Sequence, residues 1–471
     1  MLFNSIEFII FLPIVISLFF LIPHRFRWIL LLAASYYFYM CWKVEYIFLI
    51  VFSTLIDYFC GIFMEKFHEK RFKLPILLVS LISNLGLLFF FKYYNFASEN
   101  LNLLFDKIGI QQDIPLMNFL LPVGISFYTF QTLSYSIDVY FGRQKAEKHL
   151  GYFALYVSFF PQLVAGPIER FSRLTPQLKE KHLFSYDNLV NGLRLIIFGF
   201  FIKIVIADNL SGIVDEIYAA PEKFSSLEIL KGLLFYSFQI YSDFSGYSLI
   251  AIGSARIMGI RLMDNFNTPY LAKNISEFWQ RWHISLSTWF RDYLYFPLGG
   301  NRVAKTRWVF NILVVFVVSG VWHGANWTFL IWGALFGVIY LIESALNKLL
   351  KIEREYTPYS FGHISLAVKT FIIVTFIWVF FRSQSFAEAI NIFKLLYNNI
   401  GFAGAKLIIP GYLWVFFLTF IASDFLLYNK RFDVWLGNVP AIGRWTVYGF
   451  LIFSIIVYAG IENFPFIYFQ F

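Results

Sequence analysis

The chain has 471 residues, 59% of them hydrophobic and 14% charged, with a mean hydropathy of +0.65. Soluble domains carry about 25% charged residues, so one aqueous core cannot hide this much apolar surface and a water-soluble globular fold is excluded. The net charge of +9 does not mark a nucleic-acid binder, because the basic residues lie in short loops between apolar runs, where the positive-inside bias places them.

Aromatic residues make up 22% of the chain, as expected of an integral membrane protein with interfacial belts and stacked aromatic interiors. No polar block is long enough to form a soluble domain, so residues 1–471 read as a single all-α polytopic membrane domain. The N-terminus opens into an apolar run without a basic n-region or small-residue cleavage site, which reads as a retained helix rather than a signal peptide. Cys41 and Cys60 both fall in apolar segments, show no metal-ligand spacing and read as core residues.

In chain order, apolar segments begin near Ile6, Trp28, Tyr46, Leu74, Leu116, Leu189, Leu227, Trp308, Trp327, Ile364, Leu413 and Thr446. About twenty apolar residues cross a bilayer, so roughly eleven to thirteen helices are expected, some of them short, tilted or re-entrant. No internal repeat is visible. The loops at residues 24–27, 65–73, 143–149 and 256–261 are basic, whereas 98–113 and 208–222 are poorer in basic charge or acidic. Counting crossings puts every basic loop on one side, the cytoplasm, and the N-terminus outside.

Residues 152–166 are apolar, yet basic loops flank them on both sides, and Pro161, Gly166 and Pro167 interrupt them. Such a segment is either a plain helix with a poor charge balance or a re-entrant one whose broken backbone faces protein or water. The re-entrant reading points to a cytoplasm-facing cavity.

Residues 267–307 are too polar to span. Phe278, Trp282, Leu286, Trp289, Tyr293 and Phe296 recur at helical spacing, with Arg281, Arg291 and Asp292 outside the stripe. That pattern predicts an amphipathic helix lying at the membrane surface or against the bundle. At about 100° per residue, His283 falls beyond the edge of the stripe. It either faces a wet cavity or serves solubility.

Of seven histidines, His24, His68, His149 and His182 lie in basic loops and His363 just before an apolar run, where solvated or interfacial positions are expected. His323 differs. The apolar run 309–321 breaks at Trp322-His-Gly-Ala-Asn-Trp327 before another apolar run starts. An ionisable residue there is a functional candidate by default, the alternative being a hydrogen-bonded structural histidine. Two histidines without a third His, Cys or paired carboxylate nearby make a poor zinc set, so no metal is expected. No Gly-x-Ser-x-Gly elbow is present.

Seven stretches carry a family likeness. They are Leu2-Phe-Asn-Ser5, Pro122-Val-Gly-Ile-Ser-Phe-Tyr-Thr-Phe130, Phe160-Pro-Gln-Leu-Val-Ala-Gly-Pro167 and Asp243-Phe-Ser-Gly-Tyr-Ser248, followed by Phe278-Trp-Gln-Arg-Trp-His-Ile-Ser-Leu-Ser287, Asp292-Tyr-Leu-Tyr-Phe-Pro-Leu-Gly-Gly-Asn301 and Trp322-His-Gly-Ala-Asn-Trp327. Through them the chain resembles the membrane-bound O-acyltransferases (MBOATs) of the bacterial alginate O-acetylation type. The likeness covers almost the whole chain and is densest at residues 121–343. One departure is Leu249, where the family usually has an acidic residue.

The resemblance implies an MBOAT-like helical bundle with a transmembrane tunnel in the cell (inner) membrane. An acyl group, acetyl above all, would pass from a cytoplasmic thioester donor to hydroxyls of an exported polysaccharide. Acetyl-CoA would be the donor substrate, with no bound cofactor and no nucleic-acid partner. A periplasmic or extracellular partner acetyltransferase would assist, with membrane lipids around the bundle. By position, His323 matches the family's invariant histidine and His283 its second polar position. His323 is then expected as general base and His283 as a donor-side residue, with Trp322, Trp282 and Asn326 contacting substrate. Arg302, Lys305 and Arg307 answer equally well to donor phosphates and to loop charge, and stay outside the expected site. Transfer of D-alanyl groups, or of acyl groups to peptidoglycan, by the same fold is the alternative. A transporter would also place polar residues in broken helices, and a scaffold would not need the histidines.

Overall fold

The computed structural model describes residues 1–118, 120–164, 166–350, 356–459 and 466–467, and these are helical with no strand among them. They fall into two compact units, residues 1–189 with 254–263, and residues 190–253 with 264–471.

The first unit holds α1 (Ile6–Leu21), α2 (His24–Met40), α3 (Ile47–Glu65), α4 (Lys70–Leu88), α5 (Tyr94–Ile108), α6 (Ile125–Tyr140), α7 (Leu150–Ser158), α8 (Phe160–Leu163) and α9 (Phe171–Lys179). α4 and α5 join through a π turn into one 39-residue rod, Lys70–Ile108. Among the described residues, seven helices are long and apolar enough to cross a membrane, with α1 a shorter apolar one. The helix expected to begin near Leu116 starts later: among the described residues of 110–122 there is none, and α6 opens at Ile125. Pro115 and Pro122 deny the backbone donors a helix needs, and Gly124 turns the chain at φ 76. Cys60 is buried as expected, whereas Cys41 at the end of α2 is exposed.

α3, α4 and α6 are tied by polar side chains rather than by shape alone. The buried Asp57 accepts hydrogen bonds from Ser80, from Ser136 at 2.9 Å and from Asn84 at 2.8 Å. In lipid such groups hold helices together because hydrocarbon offers them no other partner. The apolar segment at 152–166 is built as the nine-residue α7 and the four-residue α8, broken at Phe159. Neither is long enough to cross a bilayer. Lys179 meets Glu147 at 2.5 Å, so the chain returns to the level at which it entered.

The second unit holds the rest of α10 (Tyr186–Phe200), then α11 (Asp208–Ala219), α12 (Ser226–Ile257), α13 (Ile275–Arg281), α14 (Ile284–Phe290), α15 (Lys305–His323) and α16 (Trp327–Leu349). α17 (Phe361–Arg382), α18 (Phe386–Asn398), α19 (Gly411–Leu426), α20 (Phe432–Gly437) and α21 (Ala441–Tyr458) complete it. α12 runs for 32 residues and is buried along nearly its whole length. α15 and α16 cross where Gly320 meets Gly333, with a Cβ built on Gly320 coming to 3.3 Å from the Gly333 Cα and running into the Phe329 carbonyl. Only glycine lets the two backbones come that close. That crossing sets where the end of α15 lies.

Candidate active site

The single amphipathic helix expected along the stripe from Phe278 to Phe296 is overturned. The stripe is cut at Trp282–His283 into α13 and α14, and His283 takes a left-handed backbone, φ 44 and ψ 53. A non-glycine residue in that region costs on the order of 1–3 kcal/mol and persists only where its surroundings impose it. Here they do. The incoming chain crosses the break, with the Asn267 N–H donating to the Arg281 carbonyl at 2.9 Å and the Ile284 N–H to the Asn265 carbonyl at 3.0 Å. The backbone groups released by the break are thereby satisfied. Phe278, Trp282, Leu286 and Trp289 stay buried, whereas Phe296 is exposed.

His283 does not sit on a wet face. Its side chain is fully buried, and burial pulls its pKa down to about 3, so the imidazole is neutral. Its Nδ1 lies 3.1 Å from Asn265 Oδ1. His323 closes α15, is 2% exposed, and is followed by Gly324 in an extended conformation.

The two imidazoles share one aromatic-walled centre, with ring centroids 6.5 Å apart. Trp322 touches both, at 5.9 Å from His283 and 4.9 Å from His323. Trp332 at 4.9 Å and Phe381 at 5.3 Å close the far side of His323, and Phe244 stands edge-on to His283 at 4.6 Å. Trp282 packs on Trp378 at 5.0 Å, and Trp378 on Trp332 at 5.7 Å. The indole N–H groups of Trp282, Trp332 and Trp378 are buried without an acceptor among the described residues. A buried donor left so costs about 1–3 kcal/mol.

Four of the five expected site residues therefore come together. Asn326 is engaged at the start of α16, where its Oδ1 accepts from the Thr328 N–H at 3.0 Å and its Nδ2 donates to the Gln384 carbonyl at 2.6 Å. His363, expected at a solvated or interfacial position, is not solvated. It is 1% exposed, with Nε2 3.1 Å from the Leu271 carbonyl, a structural histidine.

Two cavities flank the break. One, of about 230 Å³, is lined by Tyr241, Ser245, Ser248, Asn265 and Asp424, with Lys430 and Arg431 also contributing. The other, of about 520 Å³, is lined mainly by apolar residues such as Trp279, Leu286, Ile312 and Phe316, together with Ser319 one turn before His323. Ile284, the neighbour of His283, lines both. Leu249 lines the first, where Asp264 and Asp424 supply the carboxylates. Among the described residues no three His, Cys, Asp or Glu side chains form a metal-ligand group.

Sequence reasoning missed several of these residues. Asn265 carries no motif signal of its own and reaches His283 only through the break. Lys203, Asp208 and Asp243 form a buried ionic cluster, with the lysine Nζ 2.6 Å from each carboxylate. A lysine inside the apolar segment Phe201–Ala207, which joins α10 to α11, is a visible signal for such a cluster. Asp243 also accepts the Ile467 N–H at 2.6 Å, and Phe466 packs on Phe244 at 5.4 Å, behind His283.

Residues 143–386 match the model of the MBOAT, membrane-bound O-acyltransferase family. The chain is 39% identical over 400 residues to the probable alginate O-acetylase AlgI of Pseudomonas aeruginosa, covering 84% of this chain and 75% of that one. It is 36% identical over 403 residues to the peptidoglycan O-acetyltransferase of Helicobacter pylori, covering 80% and 74%. Against the teichoic acid D-alanyltransferase of Bacillus subtilis it is 31% identical over 290 residues, covering 58% and 71%.

Proposed function

The chain belongs to the membrane-bound O-acyltransferase family and is a multi-pass membrane O-acyltransferase, and on that premise we propose that it transfers an acetyl group from a cytoplasmic thioester, acetyl-CoA, to hydroxyls of an exported polysaccharide. The observation that carries this reading is the shared centre of His283 and His323, two buried imidazoles 6.5 Å apart, beside Ile284, which lines both cavities although neither histidine lines either. A thioester and an alcohol react only if the hydroxyl proton is removed as the carbonyl is attacked. A neutral imidazole does this near neutral pH. His323 is the general base, and His283 either orients a reactant or assists proton transfer. The alcohol oxygen bonds to the carbonyl carbon, the C–S bond breaks and the thiolate leaves with the proton. Aromatic walls keep water from hydrolysing the thioester meanwhile.

Alginate-type glycans are favoured as acceptor, because AlgI proteins of several species match at 37–40% over 84% of this chain, whereas the D-alanyltransferase matches over 58%. Peptidoglycan stands second, on the Helicobacter relative. A periplasmic or extracellular partner acetyltransferase completes delivery, and the protein sits in the inner membrane with its N-terminus outside.

The test is transfer of labelled acetyl from acetyl-CoA by the purified protein, with glycan O-acylation measured in cells. His323→Ala should lower the rate by about 10²–10⁴-fold, the usual loss for a general base, at unchanged membrane levels. His323→Gln keeps size and hydrogen bonding but cannot take the proton, and should be nearly as inactive. A fully active His323→Gln protein would return His323 to a structural role. Transfer from another thioester but not from acetyl-CoA would overturn the donor.

A further inference from the structure

Resting on the reading of His283 as part of the transfer site, we propose that Asn265 is a positioning residue that fixes the His283 tautomer, making Nδ1 the N–H donor and Nε2 the acceptor. The argument turns on which way the Asn265 amide points. Carboxamide oxygen and nitrogen are assigned from their partners rather than seen, and most partners here are undecided: Ser248, Ser285 and an imidazole nitrogen can each donate or accept. One partner decides. Asn265 Oδ1 lies 3.3 Å from the backbone nitrogen of Ser285, and a backbone N–H can only donate. The oxygen must therefore face Ser285, where it also accepts from the Ser285 hydroxyl at 2.9 Å, while Nδ2 donates to Ser248 Oγ at 3.2 Å.

With the oxygen so placed, the His283 Nδ1 at 3.1 Å must carry the hydrogen. A neutral imidazole has one N–H, so Nε2 holds a lone pair. His283 then cannot donate a hydrogen bond to the thioester carbonyl. It accepts one, and so orients or receives a proton. Polarising the carbonyl falls to other donors, of which the buried indole N–H groups of Trp282, Trp332 and Trp378 stand in the same aromatic cluster. The left-handed backbone of His283 belongs to the same device, because it turns both the imidazole and the Ser285 N–H toward one amide.

Three rings stand beside the His283 imidazole. Phe244 and Trp322 offer ring faces or edges, and the titratable ring that faces His283 is His323. Asn265 itself is 1% exposed, which shields its amide from competing water.

The experiment is nitrogen-15 spectroscopy of histidine-labelled protein in bilayers, the His283 signals identified by their loss in His283→Gln. The wild type should show a protonated Nδ1 and an unprotonated Nε2, without titration between pH 5 and 8. Asn265→Leu should remove that preference and lower kcat by about 10²-fold, with KM for acetyl-CoA little changed. Asn265→Asp keeps the acceptor and adds charge, so the His283 signal and the acid limb of the rate profile should both move up toward neutral pH. A wild-type Nε2–H tautomer, or an Asn265→Leu spectrum identical to wild type, overturns the proposal. If Asn265→Leu does not fold, the wild-type spectrum and the Asn265→Asp titration still decide it. The spectrum does not depend on turnover. Full activity of His283→Gln would therefore overturn the catalytic reading of this residue, while the spectrum separately decides the tautomer.

Discussion

At the scale of the residue, the two histidines were legible and their partner was not. His323 interrupts an apolar run, and His283 stands in a tryptophan-rich polar cassette, so each is conspicuous along the chain. Asn265 lies 18 residues before His283 and reaches it only because the backbone breaks there. The neutrality of His283 follows from that burial and has a measurable consequence. Its pKa is about 3 in the fold, whereas an unfolded histidine titrates near 6.5. The unfolded chain therefore binds the proton more readily, and stability falls as pH drops from about 6.5 toward 3. Melting temperature in detergent should decline across that window. His283→Gln, with nothing to protonate, should flatten part of the decline. An identical pH slope in the two proteins would show that His283 is not buried as neutral imidazole.

At the scale of the element, helix starts are legible where a long apolar run opens in a loop. α1 begins at the expected Ile6, α16 at the expected Trp327, and α3 one residue past the expected Tyr46. The failures share a cause. Hydrophobic period does not register a tertiary hydrogen bond, and the α13–α14 break is made by backbone groups of residues 265–267 far off in sequence. Periodicity carried the stripe straight through it. Likewise the run that opens near Leu116 is apolar, but Pro122 and the turn at Gly124 delay its helix to Ile125.

The α15–α16 crossing yields a prediction at this scale. Gly320→Val places atoms against the Phe329 carbonyl and should cost about 1–3 kcal/mol, the usual penalty of overpacking. Because α15 ends in His323, the displaced helix should also lose acetyl transfer per folded molecule. Val318→Ile, on a face that is 39% exposed, should alter neither. The comparison needs melting temperature and specific activity on the same preparations. Equal activity per folded Gly320→Val molecule would mean that this crossing does not set the position of His323.

At the scale of the whole molecule, charge placement matters most, because lipid removes the water that would otherwise solvate it. Lys203 is 1% exposed and lies between Asp208 and Asp243. Removing one member of a buried ion set leaves the others uncompensated, at about 3–5 kcal/mol. Lys203→Met should therefore reduce membrane yield and melting temperature. Combining it with Asp208→Asn and Asp243→Asn should restore much of both, because no unpaired charge remains. A Lys203→Met protein that melts like wild type would show the cluster to be solvated.

The orientation of the chain in the membrane follows from the same principle applied to its loops. Residues 65–73 hold Lys66, Lys70, Arg71 and Lys73, residues 143–149 hold Arg143, Lys145 and Lys148, and residues 170–181 hold Arg170, Arg173, Lys179 and Lys181. Basic loops are retained in the cytoplasm, so all three should lie there. Geometry supports the link between the last two, since Lys179 meets Glu147 at 2.5 Å and the helices between them are too short to cross. The Tyr58 hydroxyl, two turns before the end of α3, donates to the Lys148 carbonyl at 2.7 Å and brings the first loop's end of the unit to the second. Single cysteines placed in each loop, after replacement of Cys41 and Cys60, should resist a membrane-impermeant maleimide in intact cells and react once the membrane is opened. A cysteine in 98–113 should do the reverse. Labelling of 143–149 and 170–181 from opposite sides would break the re-entrant reading of α7 and α8, and the cytoplasm-facing cavity expected from it would go too.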